Sequence, residues 1–376
     1  MQKPKVIDAD GHIYENHEEI EEYFEGKYRG MRRARAYALF PSLDGWPRGL
    51  GAGRPDKVTE TKPEDVIKFV ETLGVDYTVL YPTAALAIGL VQDPGWSCSI
   101  SRAYNNWFNA RYIKKDSRLK GVAVLPIQDP QGAAAELRYA VEKLDMIGAF
   151  LPSATVMNKG FGHADFRPIF AAAQALGVPL GIHGAPSRGF GFDFFEDQGQ
   201  VHALEHPFPL MIQFTSIICD GVLEQFPKLK LAFLEAGCGW LPYMMDRLDY
   251  EYETRGARSF PNLKKKPSEY VKDCPVYVTC EPEETSLAHV AQVIGDDRIM
   301  FPSDYPHERV YGEFLKDIPE LLKRPELSEA TKQKITNRFE LQNALLPYQQ
   351  LLPERLRGLN ERIDEPLAPA SGRRVA

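Results

Sequence analysis

Asp8, Asp10 and His12 alternate in Val6-Ile7-Asp8-Ala9-Asp10-Gly11-His12, directly after a short apolar run. If an opening strand continues this far, its period of two sends all three side chains to one side. Two hard oxygen donors and an imidazole converging at a strand end suit a divalent cation. The competing reading is a polar turn after a first strand. Later in the chain, His183, Glu235 and Asp304 each close an apolar run, in Leu180-Gly181-Ile182-His183, Leu231-Ala232-Phe233-Leu234-Glu235 and Phe301-Pro302-Ser303-Asp304.

The elements that must position these residues follow a rhythm. Short apolar stretches at 6–12, 75–82, 121–126, 147–152, 178–183, 229–235, 276–280 and 298–304 read as eight strands. Helical sequence separates them. At 63–73, Val66, Ile67, Phe69, Val70 and Leu73 keep helical spacing and Gly74 ends the run, and 130–144 is an Ala-rich amphipathic helix. Further helices are predicted over 15–24, 99–115, 166–176, 241–255, 285–294, 313–323 and 328–346. Strand–helix alternation implies right-handed βαβ units and a parallel sheet, and eight units favour a closed (β/α)8 TIM barrel. A dinucleotide-binding sheet would carry a glycine fingerprint after the first strand, where this chain has Asp-Gly-His. The expected organisation is a single barrel domain over 1–350. A Gly-, Pro- and Arg-rich lid-like insertion lies at 26–62, and a tail at 351–376 is either flexible or partner-wrapping.

Composition narrows the functional class. The 376 residues are 44% hydrophobic and 26% charged, ordinary values for a globular chain able to build a large core. Net charge is −7, without a basic stripe, so nucleic acid is not an expected partner. The five cysteines lack a CxxC pair and read as reduced thiols. No segment has the length of a membrane span or the apolar core of a secretory signal. A cytoplasmic enzyme for a small molecule, away from membranes and working as a homo- or hetero-oligomer, is the expectation.

The strand-end residues carry a resemblance. The four pieces 6–12, Ile182-His183-Gly184, Phe233-Leu234-Glu235-Ala236-Gly237 and Phe301-Pro302-Ser303-Asp304-Tyr305-Pro306-His307 resemble the amidohydrolase superfamily. Within it they resemble the amidohydrolase-related branch that includes aminocarboxymuconate semialdehyde decarboxylase. With Asn343-Ala344, the likeness spans residues 6 to about 345. The resemblance implies a metal-dependent barrel enzyme, a hydrolase or a non-oxidative carboxy-lyase, acting on a small carboxylate- or amide-bearing substrate.

The family's pattern places an HxH pair after strand one, a histidine after strand five and an aspartate after strand eight on the metal. His12, His183 and Asp304 match it, while Asp10 replaces the first histidine. A carboxylate there hardens the site and moves the expected ion from zinc toward manganese or iron, one or two per chain. Strand four ends in Phe150-Leu151-Pro152-Ser153 and offers no lysine for a carbamylated bridge.

Glu235 stands roughly where decarboxylases of this branch carry a catalytic histidine. It reads as a further metal ligand, a general base or a helix-capping acid. His206 is an acid/base candidate or a ligand to a second metal, and Asp304 is the proposed proton shuttle. Arg188, in the loop after strand five, and His307 are candidates for substrate binding; a guanidinium clamps a carboxylate in two parallel hydrogen bonds. Two alternatives accompany this reading. One is a dinuclear Mn/Fe centre that activates dioxygen on the same barrel. The other is a degenerate partner subunit of a heteromeric enzyme.

Overall fold

Eight parallel strands pair in strict chain order: β1 Ile7–Ile13, β2 Tyr77–Pro82, β3 Leu119–Val124, β4 Gly148–Pro152, β5 Pro179–His183, β6 Lys230–Leu234, β7 Val276–Thr279 and β8 Ile299–Met300. The structure is a computed structural model that describes residues 6–30, 38–41, 60–153, 155–185, 190–307 and 314–336. Each predicted strand appears near its predicted place, although β8 keeps only two of the seven residues predicted at 298–304. The ring is completed at a seam between β8 and β1, where Ala9 N donates to Phe301 O (2.9 Å) and Asp304 N donates to Asp10 O (2.9 Å). The architecture is a (β/α)8 barrel, with the strands buried on both faces.

Helices link the strands and obey the punctuation in the sequence. The helix α1 (Pro63–Leu73) starts on proline, with Asp65 accepting from Lys62 N, and stops at Gly74, whose φ of 76° suits glycine. Helix α2 (Pro94–Phe108) runs into a wider π-turn at Asn109–Ile113, so the predicted 99–115 helix begins earlier and ends earlier than its apolar spacing suggests. Asp93 caps its first turn and shifts that start. Helices α3 (Pro130–Leu144) and α4 (Arg167–Leu176) precede β4 and β5. After β5 come α5 (Gln198–Glu205) and α6 (Pro207–Cys219), after β6 comes α7 (Trp240–Arg255), and after β7 comes α8 (Leu287–Ile294). Of the 26–62 insertion, only 26–30, 38–41 and 60–62 are among the described residues; the 351–376 tail lies outside them.

The opening stretch departs from simple alternation. Pairing with β2 shifts register between Asp8 and Gly11, an extra residue in β1 that separates Asp8 from Asp10 and His12. Asp8, fully buried, accepts from Thr78 Oγ1 (2.6 Å), Ser303 N (2.9 Å), Ser303 Oγ (2.8 Å) and Asp10 N (3.2 Å). It ties β1 to β2 and to the segment after β8. A Cβ on Gly11 would stand 2.6 Å from Thr78 Oγ1 and 2.8 Å from Asp8 Oδ2, so this position admits only glycine. Burial pushes the Asp8 carboxyl up to about 6, against the pull of its hydrogen bonds.

Asp8→Ala leaves those three buried donors, on Thr78 and Ser303, without their acceptor. Each orphaned group costs roughly 1–3 kcal/mol, so this variant should lose on the order of 3–5 kcal/mol in a denaturant titration. Asp8→Asn, which keeps the shape and one acceptor oxygen, should lose far less. Equal losses would show that the network does not secure the seam.

Candidate metal centre

At the C-terminal ends of the strands, Asp10 and His12 from β1 meet His183 from β5. His12 Nδ1 lies 2.9 Å from Pro82 O and His183 Nδ1 lies 2.7 Å from Gly184 O. Carbonyl oxygens only accept, so both Nδ1 atoms carry the proton and both Nε2 atoms present lone pairs. Those two Nε2 atoms face each other at 3.1 Å. Asp10 Oδ1 stands 3.5 Å from His12 Nε2 and 3.8 Å from His183 Nε2. Both Asp10 carboxylate oxygens are fully buried and have no hydrogen-bond partner among the described residues. An isolated buried carboxylate beside two converging lone pairs is costly unless a cation joins them. The donor set of this chain therefore fits a divalent metal.

Two more carboxylates arrive on strained backbone. Glu235 follows β6 with φ 55° and Asp304 follows β8 with φ 49°, both left-handed and costing about 1–3 kcal/mol each. Glu235 Oε2 is 3.1 Å from His183 Nε2, and Asp304 Oδ1 is 3.5 Å from His12 Nε2. Glu235 is thus not a helix-capping acid: its carboxylate faces inward, and its own N–H is held by Thr279 Oγ1.

Protons are stored around this group. His206, between α5 and α6, places Nε2 3.3 Å from Glu235 Oε1, and a Cβ on Gly184 would collide with its ring. Burial opposes a charge on His206, but the Glu235 carboxylate overrides it and lifts the imidazole to about 9. His307 Nδ1 sits 2.8 Å from Asp304 Oδ1, Nε2 sits 2.9 Å from Thr83 Oγ1, and the ring stacks on His12 at 4.1 Å. Burial opposes its charge as well, yet Asp304 drives His307 well above the usual histidine range. Burial dominates at the ligands instead. His12 and His183 each fall to about 4, which leaves them neutral at ordinary pH, and Asp10 is pushed well above the carboxylate range.

The residues singled out in the sequence thus gather within one centre: Asp10, His12, His183, His206, Glu235, Asp304 and His307. Arg188 lies outside the described residues. Neighbours of His206 were not among these candidates. His202 and Glu205 bring ligand atoms within 4.8 Å of it and of each other, and the His-x-x-Glu-His spacing was the available signal. Glu281, just past β7, lines the cavity beside them and stood at a strand end like the acids that were noticed.

Four similarities to known proteins bear on this geometry. The amidohydrolase family profile matches residues 7–338. Gamma-resorcylate decarboxylase of Polaromonas sp. strain JS666 is 26% identical over 289 residues, covering 72% of this chain and 83% of the relative. The 2-amino-3-carboxymuconate-6-semialdehyde decarboxylase of Dictyostelium discoideum is 24% identical over 276 residues, covering 73% and 74%. Among solved structures, a dihydroxybenzoic acid decarboxylase from Polaromonas sp. JS666, with bound manganese and the inhibitor 2-nitroresorcinol, superposes with a TM-score of 0.67 at 21% identity, covering 93% of this chain and 99% of that one.

Folding keeps His183 neutral to about pH 4, whereas the unfolded chain protonates it near 6.5. The unfolded state therefore binds more protons between these values, and this contribution to stability is lost as pH falls through that window. In metal-free protein, the stability gap between wild type and His183→Gln should shrink by about 2 kcal/mol from pH 7 to pH 5. A gap that stays constant in denaturant titrations would contradict a buried neutral imidazole.

Proposed function

The chain belongs to the amidohydrolase family, and from that premise we propose that it is a manganese-dependent non-oxidative decarboxylase of a small organic carboxylate. The observation that carries this is the buried Asp10 carboxylate, unpaired beside two neutral imidazoles whose Nε2 atoms face each other. Asp10, His12, His183 and Asp304 would hold the ion, with Glu235 beside them. The oxygen-rich donor set favours manganese or iron over zinc. When bound, a divalent cation supplies positive charge that orients a substrate carboxylate and draws electron density from it.

This chain's own residues handle the proton. Decarboxylation breaks a C–C bond, leaves the electron pair on carbon, and needs one proton where carbon dioxide departs. His206 Nε2, kept protonated by Glu235, faces the centre and is the donor of choice. An imidazole that is missing from the end of β6 thus returns from the segment after β5. Asp304, with His307 at 2.8 Å, shuttles the replacement proton, and Thr83 holds the far edge of the His307 ring. Arg188 and His307 remain candidates for substrate binding, the guanidinium being suited to a carboxylate.

The His202–Glu205–His206 group favours a second reading, a dinuclear Mn/Fe centre with oxygen chemistry. Metal content separates the two readings: one ion per chain supports the decarboxylase, and two support the dinuclear centre. The five cysteines form no disulfide among the described residues, and with Cys238, Cys274 and Cys280 buried they suit a reducing cytoplasm. Among the described residues no helix is long and apolar enough to cross a membrane. Adjacent helices α6 and α7 expose Phe208, Ile212, Tyr243 and Tyr250, a surface suited to an oligomer contact.

The decisive assay follows carbon dioxide release from a panel of aromatic and aliphatic carboxylates by manganese-loaded protein. Chelation should abolish turnover and added manganese restore it. His206→Asn should lower kcat by about 100-fold or more while bound manganese stays at one per chain. Release that survives complete chelation would overturn the proposal.

A further inference from the structure

The cavity over the centre encloses about 440 Å³, and its lining is unbalanced in charge. Half of its sixteen described lining residues are Asp or Glu, and none is Lys or Arg. Three of these acids, Asp10, Glu235 and Asp304, belong to the centre already described. Glu284 is committed to structure, since its carboxylate accepts from Cys238 N and Gly239 N at the start of α7 and from Glu281 N just after β7. Glu281 and Glu283 have no such employment. Both are exposed, both line the cavity, and neither carboxylate makes a hydrogen bond or ion pair among the described residues.

That this is a ligand cavity rests on a separate observation. Asp10, fully buried and unpaired at both oxygens, lines the same space. The cavity therefore joins the metal ligands to a wall of acids in which Glu281 and Glu283 have no ion-pair partner among the described residues. The charges that act on the Glu281 carboxyl are those of Asp304, Glu284, Glu283 and Glu235. Every neighbour in that list is an acid. Such a wall repels a second anionic group on a substrate and attracts a cationic one.

We propose that Glu281 and Glu283 are specificity residues for a cationic nitrogen, so that the substrate is an amino-bearing carboxylate with its carboxylate toward the metal ligands and its ammonium toward this wall. The inference rests on the metal-and-carboxylate reading of the same site. It goes beyond that reading by assigning the far end of the substrate.

The test measures binding of 3- and 4-(aminomethyl)benzoate to manganese-loaded protein by calorimetry. The uncharged 3- and 4-methylbenzoates and the dianion benzene-1,4-dicarboxylate serve as comparisons. At least one aminomethyl compound should bind tenfold or more tightly than its methyl counterpart, and the dicarboxylate should bind worst. In Glu281→Gln/Glu283→Gln that advantage should fall below threefold while methylbenzoate affinity stays the same. Since the ranking in wild-type protein already decides, poor folding of the variant leaves the proposal exposed to refutation. Methylbenzoate or dicarboxylate binding as tightly as the amines would overturn it. So would loss of a bound manganese from the variant, because the acids would then be holding a second metal ion. Failure of the underlying reading looks different: the methylbenzoates would bind equally well after the metal is stripped, or no compound would bind at all.

Discussion

Removing Asp10 from water is the constraint on which the rest of the site depends. A carboxylate with no solvent exposure and no hydrogen bond cannot be an ordinary core residue, because its desolvation is not offset by anything the described protein supplies. The surrounding groups are arranged around this deficit. His12 and His183 spend their Nδ1 protons on carbonyl oxygens and turn two lone pairs toward the same point. Burial keeps them neutral, so they add no charge of their own. Beside them, Glu235 and Asp304 keep His206 and His307 protonated, which places the mobile protons one layer away from the ligand imidazoles. Neutral imidazoles inside and charged ones outside is the polarity expected of a site that binds a cation and protonates carbon.

Support for this arrangement comes from a second buried acid with a different job. Asp8 lies two residues from Asp10 and has every acceptor position occupied, by hydroxyl and amide groups of β1, of β2 and of the segment after β8. The bulge in β1 separates the roles of these two aspartates. One is satisfied by protein and holds strands together. The other is left unsatisfied and faces the ligand space. The strained φ angles at Glu235 and Asp304 belong to the same economy, since packing elsewhere in the barrel holds both residues in conformations they would not choose alone.

Much of this was legible in the sequence, for identifiable reasons. Fully buried parallel strands leave continuous apolar runs, so all eight barrel strands could be located, and the acids and histidines ending them followed from where barrels keep their chemistry. Residues such as His202 and Glu281 were harder. His202 precedes His206 by one helical turn in a segment with weak periodicity, and only the fold shows that this turn borders the cavity. Glu281 sits among Glu283 and Glu284, and a run of acids ordinarily reads as a solvated surface. Alternation predicted one face for Asp8, Asp10 and His12; the bulge, which depends on pairing with β2, has no signature in β1 itself.

The closing seam has a consequence for how this protein can fail. The final strand has only two residues in regular pairing, and the joint is completed where Asp304 N meets Asp10 O, between two of the carboxylates that face the centre. Barrel closure and catalytic alignment therefore share one hinge. Damage that loosens this joint shows first as a misplaced carboxylate and only later as a melted domain. Enzymatic activity is thus the more sensitive gauge of the barrel's integrity, and conditions that leave helix content untouched can already have silenced the chemistry.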